Sequence, residues 1–218
     1  MVCYLKSYII FCFWTENNEM SENRKSHLQS LVQNSNCNVI LITPLNLDKY
    51  ILKEHPLHPA YQYLSATHKS DYLRTYFMNF YGGGYSDIKG TRDSWKTHFN
   101  DLLNSNKWVC GYPEVNGGVA YNPLIHKWSE LVGNGCYICK PNTPFTNEWY
   151  NEMIELLDKK MELLKENPAT NTRDCFEISK KYPIEWNEML GRIFHKYNYK
   201  YKEYFSNELP MCICENYR

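Results

Sequence analysis

The chain has 218 residues, and its 24 lysine and arginine side chains balance 24 aspartate and glutamate side chains. This balance argues against a protein that binds nucleic acid by neutralising phosphates, and against a polybasic membrane anchor. The longest unbroken apolar run, from Tyr8 to Trp14, has seven residues, whereas a transmembrane helix needs about 20. We therefore expect no nucleic-acid partner and no transmembrane segment.

The cysteines and the start of the chain predict a cytoplasmic protein. Nine cysteines, an odd number, are scattered among apolar segments, which suits free thiols in a reducing compartment better than a disulfide framework. No signal peptide is expected, because Lys6 interrupts the first apolar stretch. Cys136 and Cys139 could form a zinc site with Cys212 and Cys214, but no histidine follows at metal-binding spacing, which argues against zinc.

The first part of the chain follows a β-α-β order. Residues 7–14 and 38–43 are short apolar runs and predict two strands. Residues 21–34 carry apolar side chains at helical spacing, with Ser21 placed to cap the helix. Short apolar strands in this order are typical of a parallel sheet covered on both faces. We therefore expect one α/β domain over residues 1–218, with a mixed, mainly parallel sheet flanked by helices.

A second helix is predicted over residues 59–81, and Gly82-Gly83-Gly84 ends it. Asp71 and Arg74 lie together on its polar face, since their side chains are one turn apart. Residues 85–88 then predict a short strand with Asp87 near its exit.

The second half of the chain predicts three more strands and two more helices. The strands are 109–112, 118–121 and 136–139. A long helix runs from Pro144 to about residue 166, with Thr143 as its cap. The last helix is predicted over residues 184–197.

The chemistry concentrates between Ser70 and Asp87. An acid and a base one helical turn apart, a glycine triplet and a carboxylate at a strand end should meet at the carboxyl edge of the sheet, where α/β proteins bind ligands. If the ligand at this edge is a diphosphate, the carboxylate of Asp87 would repel it, and a divalent cation between them would remove the repulsion. The expected cofactor is therefore Mn²⁺ or Mg²⁺. The alternative for Asp71 and Arg74 is an ordinary surface ion pair, worth a few tenths of a kcal/mol.

The same residues carry a family resemblance. Ser70-Asp71-x-x-Arg74, followed by Gly-Gly-Gly-Tyr-x-Asp87, resembles the region around the DXD motif in metal-dependent glycosyltransferases of the GT-A fold. The sequence as a whole is also similar to the small glycosyltransferase domain of large algal viruses. One position departs from the family pattern, since Lys89 stands where the pattern has a second acid.

The resemblance implies roles for individual residues in binding a nucleotide-sugar donor. Asp87 would bind the metal or the diphosphate, and Asp71 and Arg74 would hold the ribose or the donor sugar. Lys89 could neutralise a phosphate, and Ser86 is assigned to the donor site with its neighbours. The end of the first strand would contact the nucleotide base through Phe13, Trp14 and Thr15, although Trp14 could instead be strand-end packing.

The resemblance also suggests residues for catalysis, further along the chain. Glu188 is spaced from Asp87 much as the catalytic base is in inverting enzymes of this fold, with Asp174 and Glu114 as rivals. His195 lies two helical turns beyond Glu188 and is a candidate metal ligand. The segment Gly133-Asn134-Gly135 would be a glycine loop near the donor, or a plain turn.

The sequence therefore predicts a GT-A glycosyltransferase that transfers a sugar from a UDP-sugar donor to a hydroxyl of a glycan acceptor, with inversion and with help from a metal. UDP-glucose and UDP-rhamnose are the expected donors by resemblance. The alternative is a non-catalytic protein that binds carbohydrates or nucleotide-sugars and keeps the same fold.

Overall fold

The computed structural model describes residues 5–172, 174–176 and 181–217. They form a six-stranded sheet in the order β2-β1-β3-β5-β4-β6. The strands are β1 (Ile9–Phe13), β2 (Asn38–Ile42), β3 (Gly83–Ser86), β4 (Val109–Pro113), β5 (Val132–Cys139) and β6 (Phe205–Ser206). Strand β1 pairs in parallel with β2 and β3, and β4 pairs in parallel with β6, whereas β5 is antiparallel to both its neighbours. The prediction of a mixed, mainly parallel α/β sheet is confirmed.

Helices cover both faces of this sheet. They are α1 (Glu22–Asn34), α2 (Ala66–Phe80), α3 (Lys96–Leu103), α4 (Pro144–Glu166) and α5 (Gly191–Lys200). Two predicted caps are confirmed. The Ser21 hydroxyl accepts from the Arg24 backbone N–H at the start of α1, and Thr143 exchanges hydrogen bonds with Thr146 at the start of α4. These bonds satisfy N–H groups that have no partner within the helix.

Four predicted elements differ from the observed ones. The helix expected over 59–81 is divided into a 3₁₀ turn (Pro59–Tyr63) and α2, because Ser65 caps α2 by accepting from the His68 N–H. The helix expected over 184–197 begins at Gly191. Residues 118–121 form no strand, and β5 extends back to Val132, so residues 133–135 lie in a strand and form neither a loop nor a turn. Helix α3 and strand β6 were not predicted.

Alternation along β1 divides the core into two layers. Ile9, Phe11 and Phe13 pack with α2, α4 and α5 on one face of the sheet. Ile10 and Cys12 pack on the other face, against residues of α1 and α3. Successive side chains of a strand point to opposite faces, which explains the division.

The same rule separates the cysteines of the possible zinc site. Cys136 and Cys139 are three positions apart in β5 and lie in different core layers. No cluster of three metal-binding side chains occurs among the residues that the structure describes. Across those residues, no helix has the length and the hydrophobicity needed to cross a bilayer.

Candidate nucleotide-sugar site

A cleft of about 340 Å³ lies at the carboxyl ends of β1 and β2. Its walls come from the two strand ends, the loop after β2, a 3₁₀ turn and helix α2, and the lining residues are Trp14, Thr15, Asn17, Ile42, Thr43, Pro44, Leu47, Asp48, Leu57, Tyr61, Lys69 and Leu73. The Trp14 indole donates to the Asn18 carbonyl at 2.8 Å, and the Thr15 hydroxyl donates to the Ala66 carbonyl at 2.9 Å. The structure therefore places Trp14 and Thr15 in a cleft, and their contact with a nucleotide base stays a prediction.

Phe13 does not share this position. Its side chain is 6% exposed and belongs to the core. The ring packs edge-on against Phe77 at 5.1 Å and stacks on Tyr85 at 5.8 Å between centroids. Phe13 points to the same face of the sheet as Ile9 and Phe11, so its side chain does not support the nucleotide contact, which stays a prediction.

Arg74 is the centre of a buried charge cluster. Its Nη2 atom lies 3.1 Å from Oδ1 of Asp87 and 3.3 Å from Oδ1 of Asp71. Its Nη1 atom donates to the Asn134 carbonyl at 3.0 Å, and its guanidinium carbon lies 4.2 Å from the centroid of the Tyr85 ring. The side chains of Arg74 and Asp71 are 9% and 5% exposed, so the alternative of a surface ion pair is excluded.

Lys89 completes the cluster at the exit of β3. Its Nζ atom lies 3.0 Å from Oδ2 of Asp87, while the Tyr85 hydroxyl donates to Oδ1 of the same carboxylate. Each carboxylate oxygen of Asp87 therefore faces a cation. The structure brings together Asp71, Arg74, Asp87 and Lys89, the four charged residues that the sequence assigned to the donor.

Ser86 lies outside this cluster. It is fully buried in β3 and pairs with Cys136 of β5. Tyr85 and Asp87, on either side of it, point to the opposite face of the sheet, since side chains alternate along a strand. Its hydroxyl has no hydrogen-bond partner among the described residues. A role for Ser86 in binding the donor stays a prediction, and the position of its side chain does not support it.

The two aspartates of the cluster have opposite pKa shifts. Burial raises the pKa of Asp71 to about 7, although Arg74 acts in the other direction. Burial also acts to raise the pKa of Asp87, but Arg74 and Lys89 together outweigh it and lower this pKa to about 2. Near neutral pH, Asp87 is an ion, while Asp71 can gain or lose a proton.

The shift at Asp71 predicts how stability depends on pH. From the ordinary pKa of 3.8 up to about 7, the folded protein keeps a proton that the unfolded chain has lost, so this group lowers the free energy of unfolding as the pH rises. Asp71→Asn removes this effect. We expect the free energy of unfolding of Asp71→Asn, minus that of wild type, to increase by about 2–4 kcal/mol between pH 4 and pH 7. Above pH 7 this difference should stay constant.

Thermal unfolding of both proteins across this pH range measures the effect. Asp101→Asn is a matched control, because it changes an exposed carboxyl on α3. If the stability of wild type and that of Asp71→Asn change with pH in the same way, the conclusion that burial raises the pKa of Asp71 is contradicted. Asp87 contributes in the opposite sense, since its lowered pKa stabilises the fold above pH 3.8 and loses that contribution between pH 3.8 and pH 2.

The residues of this cluster do not fit a divalent ion held by the protein alone. Mg²⁺ and Mn²⁺ prefer several oxygen ligands, whereas both carboxylate oxygens of Asp87 face cations and Lys89 stands in place of a second acid. The cation that Asp87 needs is already supplied by Arg74 and Lys89. The Mn²⁺ or Mg²⁺ requirement stays a prediction, and the roles described below do not depend on a metal.

His195 is paired with Glu114 in the protein interior. The Ala120 N–H donates to Nδ1 of His195 at 3.1 Å, which leaves the proton on Nε2, and that atom lies 2.9 Å from Oε2 of Glu114. Oε1 of Glu114 accepts from the Val115 N–H at 2.9 Å. Both ring nitrogens of His195 are thus engaged, so its predicted role as a metal ligand would require this pair to break.

Gly118 allows the loop after β4 to close over this pair. A Cβ atom at Gly118 would lie 2.2 Å from Oε1 of Glu114. The glycine therefore lets the backbone pass directly over the buried carboxylate. This close passage replaces the strand that the sequence predicted over residues 118–121.

Glu188 and Asp174 have local partners. Glu188 lies in the turn before α5, where Oε1 is 3.1 Å from Nζ of Lys160 and Oε2 accepts from the Glu185 N–H at 3.0 Å. Asp174 accepts from the Asn171 N–H at 3.0 Å and from the Thr170 hydroxyl at 2.9 Å. These contacts place neither carboxylate on the Arg74 cluster.

Two backbone contacts of the site carry no clear signal in the sequence. Asn134 contributes its carbonyl to Arg74, and Gly135 contributes its carbonyl to the Asp87 N–H at 2.9 Å. Backbone carbonyls are present at every residue, so a sequence pattern cannot select them. The glycine-rich segment was nevertheless predicted to lie near the donor, and it contacts both Arg74 and Asp87.

Comparison with known proteins assigns the chain to a family. Residues 4–165 match the family model described as capsular polysaccharide synthesis protein. The chain belongs to this family. No curated protein matches this sequence significantly.

Solved structures show a similar fold. The PaToxG glycosyltransferase is 14% identical with a TM-score of 0.50, and the similarity covers 89% of this chain and 69% of that one. The WbbM bifunctional glycosyltransferase in its apo form is 12% identical with a TM-score of 0.48, covering 92% of this chain and 38% of that one. The member of the capsular polysaccharide synthesis family described here therefore has a fold similar to that of the PaToxG glycosyltransferase.

Proposed function

We propose that this protein is a glycosyltransferase that moves a sugar from a nucleotide-sugar to a hydroxyl group of a glycan acceptor, with inversion at the anomeric carbon. The supporting observation is that one helix contributes residues to both the cleft and the charge cluster. Lys69 and Leu73 of α2 line the cleft, and Asp71 and Arg74 of the same helix form the charge cluster with Asp87. The family match and the fold are consistent with this activity.

The cleft suits the nucleoside part of the donor. Trp14 offers an aromatic side chain whose indole is held in place by its hydrogen bond to Asn18. Asp48, Thr43 and Asn17 add polar groups to the lining, which can accept or donate hydrogen bonds to a base or a ribose. We propose UDP as the nucleotide and glucose or rhamnose as the sugar, on the family resemblance.

Loss of the Trp14 ring should weaken nucleotide binding. Stacking of a base on an aromatic side chain contributes about 1–3 kcal/mol, so Trp14→Ala should raise the dissociation constant for UDP by about 5- to 150-fold. Calorimetric titration with UDP measures it. Trp186→Ala is the matched control, because that tryptophan is exposed and lies outside the cleft lining. If wild type and Trp14→Ala bind UDP with equal affinity, the proposal that the base stacks on Trp14 in this cleft is contradicted.

The charge cluster suits the diphosphate and the sugar. Lys89 and Arg74 supply positive charge, which stabilises the diphosphate that leaves with the nucleotide. Asp87 holds both cations in place. Asp71, whose pKa is raised to about 7, can donate or accept a hydrogen bond with a sugar hydroxyl near neutral pH.

Glu188 remains the sequence-based candidate for the base that accepts the proton of the acceptor hydroxyl. In that role, Glu188→Gln should lower the turnover rate by about 10²–10⁴ and leave donor affinity near the wild-type value. Lys160→Met is the control, since it breaks the same ion pair and keeps the carboxylate. Equal turnover losses in the two variants would show that Glu188 anchors the turn before α5 and is not the base.

A second candidate function is nucleotide-sugar binding without transfer. The observation that favours it is the pairing of both Asp87 oxygens with cations, where the family pattern has a second acid in place of Lys89. The two functions separate in one experiment, in which UDP-glucose or UDP-rhamnose is incubated with the protein, with and without Mn²⁺. Saturable binding with no release of UDP would support the second candidate.

A further inference from the structure

Residues 209–217 lie across the exit of β3, beside the charge cluster. The Leu209 N–H donates to the Gly111 carbonyl at 3.0 Å, and the Ile213 N–H donates to the Gly90 carbonyl at 2.8 Å. Between these bonds, Cys212 is buried. The segment is therefore fixed at two points, one on β4 and one on the loop that carries Lys89.

Tyr217 brings this segment onto two cations. The guanidinium carbon of Arg24 and the Nζ atom of Lys89 each lie 4.8 Å from the centroid of its ring. Asn216 has a φ of 49°, a left-handed conformation that asparagine tolerates better than most residues. This turn returns the chain toward Lys89 after the exposed residues 214–216.

Arg24 and Lys89 come from elements that are distant in sequence and adjacent in space. Arg24 lies in the first turn of α1 and donates to the Ile88 carbonyl at 3.4 Å, which joins α1 to the loop after β3. Lys89 shares its carboxylate partner Asp87 with Arg74. The two cations therefore face one aromatic ring, and the π-face of this ring is their common partner.

We propose that Arg24 and Lys89 form a binding site for the donor diphosphate and that Tyr217 covers this site in the free protein. The phosphate oxygens would replace the ring as the partner of both cations. Binding then requires the ring to leave, so the apparent affinity is lowered by the fraction of molecules in which the site is covered. The inference rests on the proposed function, because it assigns the cations to the phosphates of the same donor.

Inorganic pyrophosphate is the probe, since it carries the diphosphate without the nucleoside or the sugar. Tyr217→Leu keeps an apolar side chain and removes the aromatic face, whereas Tyr217→Phe keeps that face. We expect Tyr217→Leu to bind pyrophosphate about 3- to 10-fold more tightly than wild type in calorimetric titrations, within the range of cation–π contacts. Tyr217→Phe should stay within about 2-fold of wild type, and adding Arg24→Met to Tyr217→Leu should abolish the gain.

Unchanged or weaker binding by Tyr217→Leu would overturn the proposal, provided that its thermal unfolding matches wild type; if it is unfolded, Tyr217→Met serves as the second variant. A gain that survives Arg24→Met would overturn the role of Arg24. Pyrophosphate binding does not depend on sugar transfer. If the pyrophosphate affinities change as expected but the protein transfers no sugar, the covered site is supported and the proposed function is rejected. If the protein transfers sugar but the affinities do not change as expected, only the covered site is rejected.

Discussion

Arg74→Met is expected to lower the free energy of unfolding by about 3–5 kcal/mol and to abolish donor binding. The guanidinium group is the shared partner of Asp71 and Asp87, and removing one member of a buried ion pair leaves an uncompensated charge. The Asn134 carbonyl also loses its donor. Denaturant unfolding measures the stability change, and calorimetric titration with a UDP-sugar measures the binding.

Two further variants show whether the charges cause this loss. Arg92→Met removes an arginine whose side chain is 75% exposed, so its effect should stay within about 0.5 kcal/mol. Asp87 keeps Lys89 as a partner in Arg74→Met, whereas Asp71 loses the cation it is paired with. Adding Asp71→Asn to Arg74→Met removes this carboxylate and should recover part of the stability. A double variant no more stable than Arg74→Met would indicate that the loss comes from packing of the arginine stem and not from the buried acids.

Asp87→Asn is expected to reduce sugar transfer by about 100-fold or more and to destabilise the fold by about 1–3 kcal/mol. Asparagine keeps the shape, but Arg74 and Lys89 lose the negative charge that holds them at 3.1 and 3.0 Å. The stability cost is smaller than for Arg74, because the Asp87 side chain is 27% exposed and water can reach the cations.

The sequence alone suggests that Asp87 faces the ligand and contributes little to the fold, and the two ion pairs change this expectation. Asp101→Asn is the matched control, with an exposed carboxyl on α3. Initial rates and thermal unfolding are compared in parallel. If Asp87→Asn keeps the wild-type transfer rate and the wild-type stability, the proposal that Asp87 holds Arg74 and Lys89 in the donor site is contradicted.

Local signals account for what the sequence predicted well. The apolar runs of β1 and β2, with a capped helix between them, specify a β-α-β unit, and the spacing of Asp71, Arg74 and Asp87 placed them in one cluster. Each of these features depends on neighbours along a single helix or strand. Phe13 could also have been assigned to the core in this way, since it alternates in phase with Ile9 and Phe11.

Contacts between distant segments account for what the sequence could not predict. Glu114 and His195 are 81 positions apart, and no spacing rule connects a loop after β4 with the last helix. Tyr217 contacts Arg24 and Lys89, which precede it by 193 and 128 positions in the sequence. Likewise, the lysine partner of Glu188 lies on α4, so only the folded structure shows that this carboxylate is already paired.

Release of UDP from nucleotide-sugars is the most direct measurement of the central claim, that the cleft and the charge cluster together perform glycosyl transfer. Wild type, Trp14→Ala and Asp87→Asn are incubated with UDP-glucose and UDP-rhamnose, and free UDP is followed over time. We predict that wild type releases UDP from at least one donor, and that Trp14→Ala needs a higher donor concentration while Asp87→Asn loses turnover. No release from either donor by wild type, or release by all three proteins at the same rate, would contradict the claim.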